Sequence, residues 1–160
     1  MGRGAVSSVK SAKQRMAQVD KTVLVEYGCQ QMFFLVRDVE QYPRFLPWCS
    51  GAKIQIGPGD VVRASVDIDY HGVRTSFATE NTYLEPSDIE MRLLQGPFKH
   101  LHGTWKFTAL GDTACKIQLR LVYEFSNRIL EKLVGPVFGY IANSLVDAFV
   151  KRAEHLYGRR

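Results

Sequence analysis

Residues 126–157 read SNRILEKLVGPVFGYIANSLVDAFVKRAEHLY, and their spacing decides the fold. Apolar residues fall at Ile129, Leu130, Leu133, Val134, Val137, Phe138, Ile141, Ala142, Leu145, Val146, Phe149 and Ala153. These steps of three and four keep one helical face apolar through the whole run. Glu131, Lys132, Asn143, Asp147, Lys151, Arg152 and Glu154 occupy the other face. Ser126 or Asn127 supplies an N-cap, and Gly158 sits where a helix often ends. Gly135-Pro136 interrupts the pattern. Proline lacks a backbone donor and crowds the preceding turn, so the sequence predicts a kink there or two helices end to end. The plain expectation is a core helix. The sharper one is a helix that covers a sheet and leaves space beneath it.

Upstream of this helix the period changes from three-and-four to two. Ile117, Leu119, Leu121, Tyr123 and Phe125 make one inward row, and Leu101, Gly103, Trp105, Phe107 and Ala109 make another. Ile89, Met91 and Leu93 form a third. Residues 73–84 place Phe77, Thr79, Asn81 and Tyr83 on one face. Residues 61–70 place Ala64, Val66, Ile68 and Tyr70 on one face and Arg63, Ser65, Asp67 and Asp69 on the other. Gly57-Pro58-Gly59, His71-Gly72, Gly96-Pro97 and Gly111-Asp112 mark the turns. One face of a meandering antiparallel sheet is thus apolar and the other polar. Before it, residues 52–56 read as a short strand, 19–27 as a first strand and 29–39 as a helix. Pro43 and Pro47 leave room for at most one helical turn between them. The fold class is α+β: a strand, two short helices, several antiparallel strands and one long helix.

A chain of 160 residues, 46% hydrophobic and 23% charged, fits one soluble domain with a real core. The net charge is +5, but Arg3, Lys10, Lys13 and Arg15 precede any acid and leave about +1 for the remainder. The body therefore carries no broad nucleic-acid footprint, and DNA is not expected as a partner. Residues 1–15 read as a disordered basic tail and 16–160 as the domain, with Met16 an alternative start. No charge-free run reaches bilayer length and no signal peptide is visible. Cys29, Cys49 and Cys115 are widely spaced and odd in number, which points to free thiols in a reducing compartment.

Three motifs resemble a known family: Tyr42-Pro43-Arg44-Phe45-Leu46-Pro47-Trp48-Cys49, Gly96-Pro97-Phe98-Lys99-His100-Leu101 and Gly103-Thr104-Trp105-Lys106-Phe107. Together with the element order they are similar to the coenzyme Q-binding and ribosome-association-toxin (RatA-like) branch of the START-like, helix-grip superfamily. The resemblance covers roughly residues 16–160. It implies a seven-stranded antiparallel sheet gripping the C-terminal helix, with a hydrophobic tunnel between them. It implies three functions. The first is a non-enzymatic ubiquinone-binding protein that supports ubiquinone biosynthesis or respiration. The alternative is a toxin that binds the large ribosomal subunit and blocks subunit association. The third is a polyketide cyclase-like enzyme.

The candidate ligand-binding residues follow from the inward rows. Leu46, Pro47 and Trp48 lie at the mouth. Val66, Ile68, Tyr70, Phe77, Thr79, Asn81, Met91, Leu93, Trp105, Phe107, Leu121 and Tyr123 come from the sheet. Phe138, Ile141, Leu145 and Phe149 come from the helix. Many of these must simply fill the core. Thr79 and Asn81 are polar in an apolar row, and water or a ligand's oxygen atoms are expected to satisfy them.

Catalytic and metal sites are not expected. His100 and His102 share the outward strand face with Thr104 and Lys106, and no third ligand is placed beside them. Asp67 and Asp69 lie on a solvated face, and Cys49 has no local base. The inward rows hold no Asp, Glu, His or Lys, so only Tyr70, Tyr83 and Tyr123 are placed to donate a proton. No catalytic cofactor is implied, and the expected ligand is ubiquinone or another isoprenoid lipid. A ribosome binder would use outward cations such as Lys99, Lys106, Lys116 and Arg120. The expected location is the cytoplasm, with peripheral contact at the inner membrane.

Overall fold

The computed structural model describes residues 16–59 and 61–159. The tail expected over residues 1–15 lies outside the described residues. The first strand, β1, is Ala17–Val25, followed by helix α1 at Cys29–Arg37 and a 3-10 helix at Val39–Arg44. Six strands follow: β2 Cys49–Ile56, β3 Val61–Tyr70, β4 Val73–Leu84, β5 Asp88–Gln95, β6 Phe98–Ala109 and β7 Cys115–Phe125. Helix α2, Arg128–Tyr157, closes the chain. The sheet is one antiparallel layer in the order β1-β7-β6-β5-β4-β3-β2. This is the expected seven-stranded sheet with a long C-terminal helix.

The strands form where period two is cleanest. In β7 every odd residue from Cys115 to Phe125 is buried, and Lys116 and Arg120 between them are exposed. The β3–β4 hairpin turns at His71 and Gly72, whose φ values of 50° and 80° are the paired positive angles of a type I′ turn. The β4–β5 register shifts between Ala78 and Thr79, whose partners are Gln95 and Leu93, so Leu94 is the extra residue on β5 just before Gly96.

Helix α2 is a single element through Gly135-Pro136, not two helices end to end. The reason lies in which face carries the break. Pro136 cannot donate to the carbonyl of Lys132, and both residues are exposed, so water can take that carbonyl's place. Asn127 caps the helix, its Oδ1 accepting the Leu130 N–H at 2.9 Å. By length and composition α2 would suffice to cross a bilayer, contrary to the expectation from charge spacing. In the fold its buried stripe, Val134, Phe138, Ile141, Ala142, Val146, Phe149 and Ala153, lies inside the protein.

The 3-10 helix lies mostly before Pro43 and ends at Arg44, so less than one turn of helix stands between Pro43 and Pro47, within the expected limit. Cys29 and Cys115 are bonded as a disulfide with Cα atoms 5.1 Å apart, which corrects the expectation of three free thiols. The first turn of α1 packs beside the start of β7, at a Cα spacing suited to bridging. With that pair bridged, the cysteine count no longer argues for a reducing compartment. Cys49 alone is free and is buried, as the packed-thiol expectation has it.

Two core clusters result. One lies under the first half of α2, where Phe138 meets Phe98 at 4.8 Å and Tyr123 at 4.7 Å between ring centroids. The other gathers Met32 and Phe33 of α1, Trp105, Phe107 and Phe149. The candidate site lies where they meet.

Candidate functional site

An enclosed apolar space lies between the sheet and α2, beneath the 3-10 helix. Val66 of β3, Phe77, Thr79 and Asn81 of β4 and Met91 of β5 form the floor. Trp105 of β6 and Leu121 of β7 complete it. Phe138, Ile141 and Leu145 of α2 form the roof, and Trp48 closes one side. All of these are residues expected at the site.

The remaining candidates lie elsewhere. Leu46 and Pro47 line a separate surface groove with Trp48. Ile68 and Tyr123 pack in the first core cluster, and Leu93 packs against it. Phe107 stacks on Trp105 at 6.1 Å, and Phe149 meets Trp105, Tyr42 and Phe45, all in the second cluster. Tyr70 does not line the space; it packs against the first cluster and stacks on Tyr140 at 5.8 Å. The inward parity of these residues is right. Parity places a side chain on a face, but it does not say which positions along the strand face a void and which meet solid packing.

Val39, Tyr42, Ala64, Leu101 and Ala142 also line the space and were not singled out from sequence. Ala64, Leu101 and Ala142 sit on the predicted apolar faces, so the signal for them was present. Val39 and Tyr42 come from the 3-10 helix, whose path across the sheet carries no periodic signature.

The polar end of the space is self-contained. Thr79 Oγ1 donates to Asn81 Oδ1 at 2.7 Å, and Asn81 Nδ2 donates to the Tyr83 hydroxyl at 3.3 Å. These partners replace the water or ligand oxygens expected to satisfy Thr79 and Asn81. Among the described residues no buried side-chain polar atom lacks a partner. Tyr83 carries the relay outward, since the Arg37 guanidinium lies 5.4 Å from its ring and pairs with Glu85 at 3.4 Å. Burial raises the Tyr83 hydroxyl above its ordinary range, with Asn81 and Arg37 opposing.

The space is about 90 Å³. That suits a few carbon atoms, well below the roughly 300–1,000 Å³ of a pocket that takes a whole drug-sized ligand. A polyprenyl chain enters only when the walls part. Its lining holds no carboxylate, imidazole, ammonium or thiol. Tyr42 is its one ionisable group. Burial pushes that hydroxyl well above its ordinary value, and it donates to the Val36 carbonyl. A group held protonated in this way is a poor general base.

The outward residues stand as expected. His100 and His102 are exposed, and His102 Nε2 lies 3.3 Å from Glu90 Oε1. Asp67 accepts from Ser76 at 2.6 Å, and Asp69 pairs with Arg74 at 3.4 Å. Lys106, Lys116 and Arg120 lie on the outer face of β6 and β7, where Arg120 is held by Asp20 at 3.5 Å.

A second concavity, about 530 Å³, runs along the outside of α2 against the end of the 3-10 helix and the residues that follow it. Arg44, Phe45, Leu46, Pro47 and Trp48 form one bank. Tyr140, Ser144, Asp147, Ala148, Lys151, Arg152 and His155 form the other. The spacing of Tyr140, Ser144, Ala148, Lys151 and His155 puts them on one helical stripe.

Comparison with known proteins fits this geometry. Residues 25–150 match the family described as polyketide cyclase / dehydrase and lipid transport. The chain is 42% identical over 143 residues to the ribosome association toxin RatA of Vibrio cholerae, covering 89% of this chain and 99% of that one. It is 25% identical over 148 residues to the mitochondrial coenzyme Q-binding protein COQ10 homolog B of Xenopus laevis, covering 89% of this chain and 60% of that one. Among solved structures, the Zhui aromatase/cyclase of a Streptomyces species superposes with a TM-score of 0.70 at 19% identity, over 87% of this chain and 94% of that one. At that identity the likeness is one of fold alone.

Proposed function

The chain belongs to the polyketide cyclase / dehydrase and lipid transport family, and from that premise we propose that it is a non-enzymatic binding protein for an apolar ligand of the ubiquinone class. The observation that carries this reading is the enclosed space beneath α2. Its walls are predominantly apolar, and Thr79 and Asn81, linked onward to Tyr83, give it a polar end. An isoprenoid segment would gain roughly 0.8 kcal/mol per buried methylene there. A quinone carbonyl would accept a hydrogen bond from the Asn81 amide. The absence of a titratable base in the lining argues for binding over cyclisation.

The test is mass spectrometry of lipids extracted from the purified full chain, with titration of a short-chain ubiquinone analogue followed by tryptophan fluorescence. Trp48 and Trp105 both line the space, so binding should quench them. No extracted isoprenoid and no quenching at any soluble concentration would remove this reading.

A second reading is favoured by the identity to the toxin RatA of Vibrio cholerae. It is that the protein associates with the large ribosomal subunit, and it makes the outside of the molecule the working surface. Co-sedimentation with separated subunits tests it, and absence from the large-subunit fraction at low salt would exclude it.

A further inference from the structure

We propose that the groove between α2 and residues 44–48 is a binding site for the phosphodiester backbone of single-stranded RNA. The identity of the partner rests on the ribosome-association reading. The groove itself does not.

Three cations, Arg44, Lys151 and Arg152, and one carboxylate, Asp147, line a concavity of about 530 Å³. Among the described residues none of the three has a carboxylate within ion-pair distance. Unpaired cations gathered in a concave, partly desolvated surface raise the local potential and attract anions. Of the outer-sheet cations considered from the sequence, Arg120 is held by Asp20, and Lys99, Lys106 and Lys116 line no part of this concavity.

The shape comes from the sequence. Along the helical stripe the middle positions are Ser144 and Ala148, and the ends are Tyr140, Lys151 and His155. Small residues make a floor and long ones make walls. Ser144 turns its hydroxyl back to the Tyr140 carbonyl at 2.7 Å, so the floor presents little of its own polarity. The Arg152 guanidinium lies 5.0 Å from the Phe45 ring, which fixes it over the groove.

Aromatic surface accompanies the charge. Tyr140 is 53% exposed at the groove's end, stacked on Tyr70. Cations that track a backbone beside an exposed aromatic platform are the combination that single strands use. A flat anionic bilayer would instead meet protruding cations. These three line a concavity that a single strand can enter and a bilayer cannot.

The experiment is fluorescence anisotropy of the full chain with a labelled single-stranded RNA of about 12 nucleotides, across a salt series. Three phosphate contacts predict a slope of log K against log salt of about −2. The variant Arg44→Gln/Lys151→Gln removes two exposed cations that have no structural partner. It should weaken binding at least tenfold at low salt and flatten the slope to about −0.7. Lys106→Gln/Lys116→Gln on the outer sheet face should leave both unchanged. Unchanged RNA binding by the groove variant, or loss in the sheet variant, overturns the proposal. So does binding to phosphatidylglycerol vesicles without binding to RNA. A matched melting temperature establishes that the groove variant is folded; if it is not, Lys151→Gln alone decides. Subunit co-sedimentation is run in parallel. RNA binding by a protein that ignores both subunits removes the ribosome reading and leaves the groove assignment standing.

Discussion

Thr79 and Asn81, two residues apart on β4, hydrogen-bond to each other at 2.7 Å with both side chains buried. On a strand, residues two apart share a face, so the only two fully buried polar side chains among the described residues satisfy one another. Asn81 then passes its amide to Tyr83, also on that face.

Asn81→Leu should therefore destabilise the protein by about 2 kcal/mol, because it leaves the Thr79 hydroxyl buried without an acceptor. Thr79→Val in the Asn81→Leu background should then be nearly neutral, and the two changes should couple by about 1–2 kcal/mol. Urea unfolding of the four proteins in the cycle measures this. Strict additivity would show that the hydrogen bond is not formed in solution.

Much of this fold is legible in the sequence. The strands over 61–70 and 73–84 begin and end where alternation begins and ends, since period two and turn residues such as His71-Gly72 act locally. The inward parity of Phe77, Trp105 and Leu121 is local in the same way. What could not be read depends on distance through space. Cys29 and Cys115 are 86 residues apart, and nothing in their spacing says that α1 starts against β7. The size of the void depends on how the side chains of seven elements fit, which no single row of residues records. The basic groove was hidden because its α2 bank reads as an ordinary solvated helix face. Only the return of residues 44–48 beside it makes a concavity.

Gly96 explains why the Gly-Pro-Phe motif needs its glycine. Its φ is 148°, and a Cβ there would lie 2.7 Å from Phe77 Cβ and 3.2 Å from Phe77 Cα. Phe77 cannot retreat, since its ring is held against Phe98 and Phe138. Gly96→Ala should cost on the order of 3 kcal/mol or more, through both backbone strain and overlap. Thermal melting reports it, and a loss below about 1 kcal/mol would show that β5 and β4 can slide apart at this point.

The thiols give a count and a pH dependence. With Cys29 and Cys115 bonded, the unreduced chain unfolded in denaturant should yield one thiol to DTNB, and the reduced chain three. Burial pushes the Cys49 thiol up to about 11, above its ordinary 9.0. A raised folded pKa means that the neutral form is favoured by folding. Its stabilisation is complete below about pH 9 and is lost as pH rises toward 11. Stability should fall by on the order of 1–2 kcal/mol across that window, and Cys49→Ala should flatten that part of the profile. A profile unchanged by Cys49→Ala would mean that the thiol is already ionised or solvated in the native state.

Ala142 is the most direct probe of the enclosed space. It is 1% exposed, lies on the buried stripe of α2 and lines the void. Ala142→Leu adds three carbon atoms to a space of about 90 Å³, enough to fill most of it. Two terms then oppose each other. Burial of the added carbons contributes up to about 2 kcal/mol. Imperfect fit against Ile141, Leu121 and Met91 costs about 1–3 kcal/mol. The net change in stability should lie within about 1 kcal/mol of zero in denaturant unfolding. Binding has no such compensation, because the added side chain occupies the volume that an isoprenoid segment would take. Affinity for a short-chain ubiquinone analogue should fall at least tenfold, equivalent to about 1.4 kcal/mol. Leu145→Gln on the same wall gives the complementary result. Leu145 is only half-buried, so the amide reaches water at a cost near 1 kcal/mol, while the ligand meets a hydrated group. If both variants bind the quinone as tightly as the parent, the ligand occupies some other part of the molecule. The void beneath α2 is then a packing defect and not a binding site.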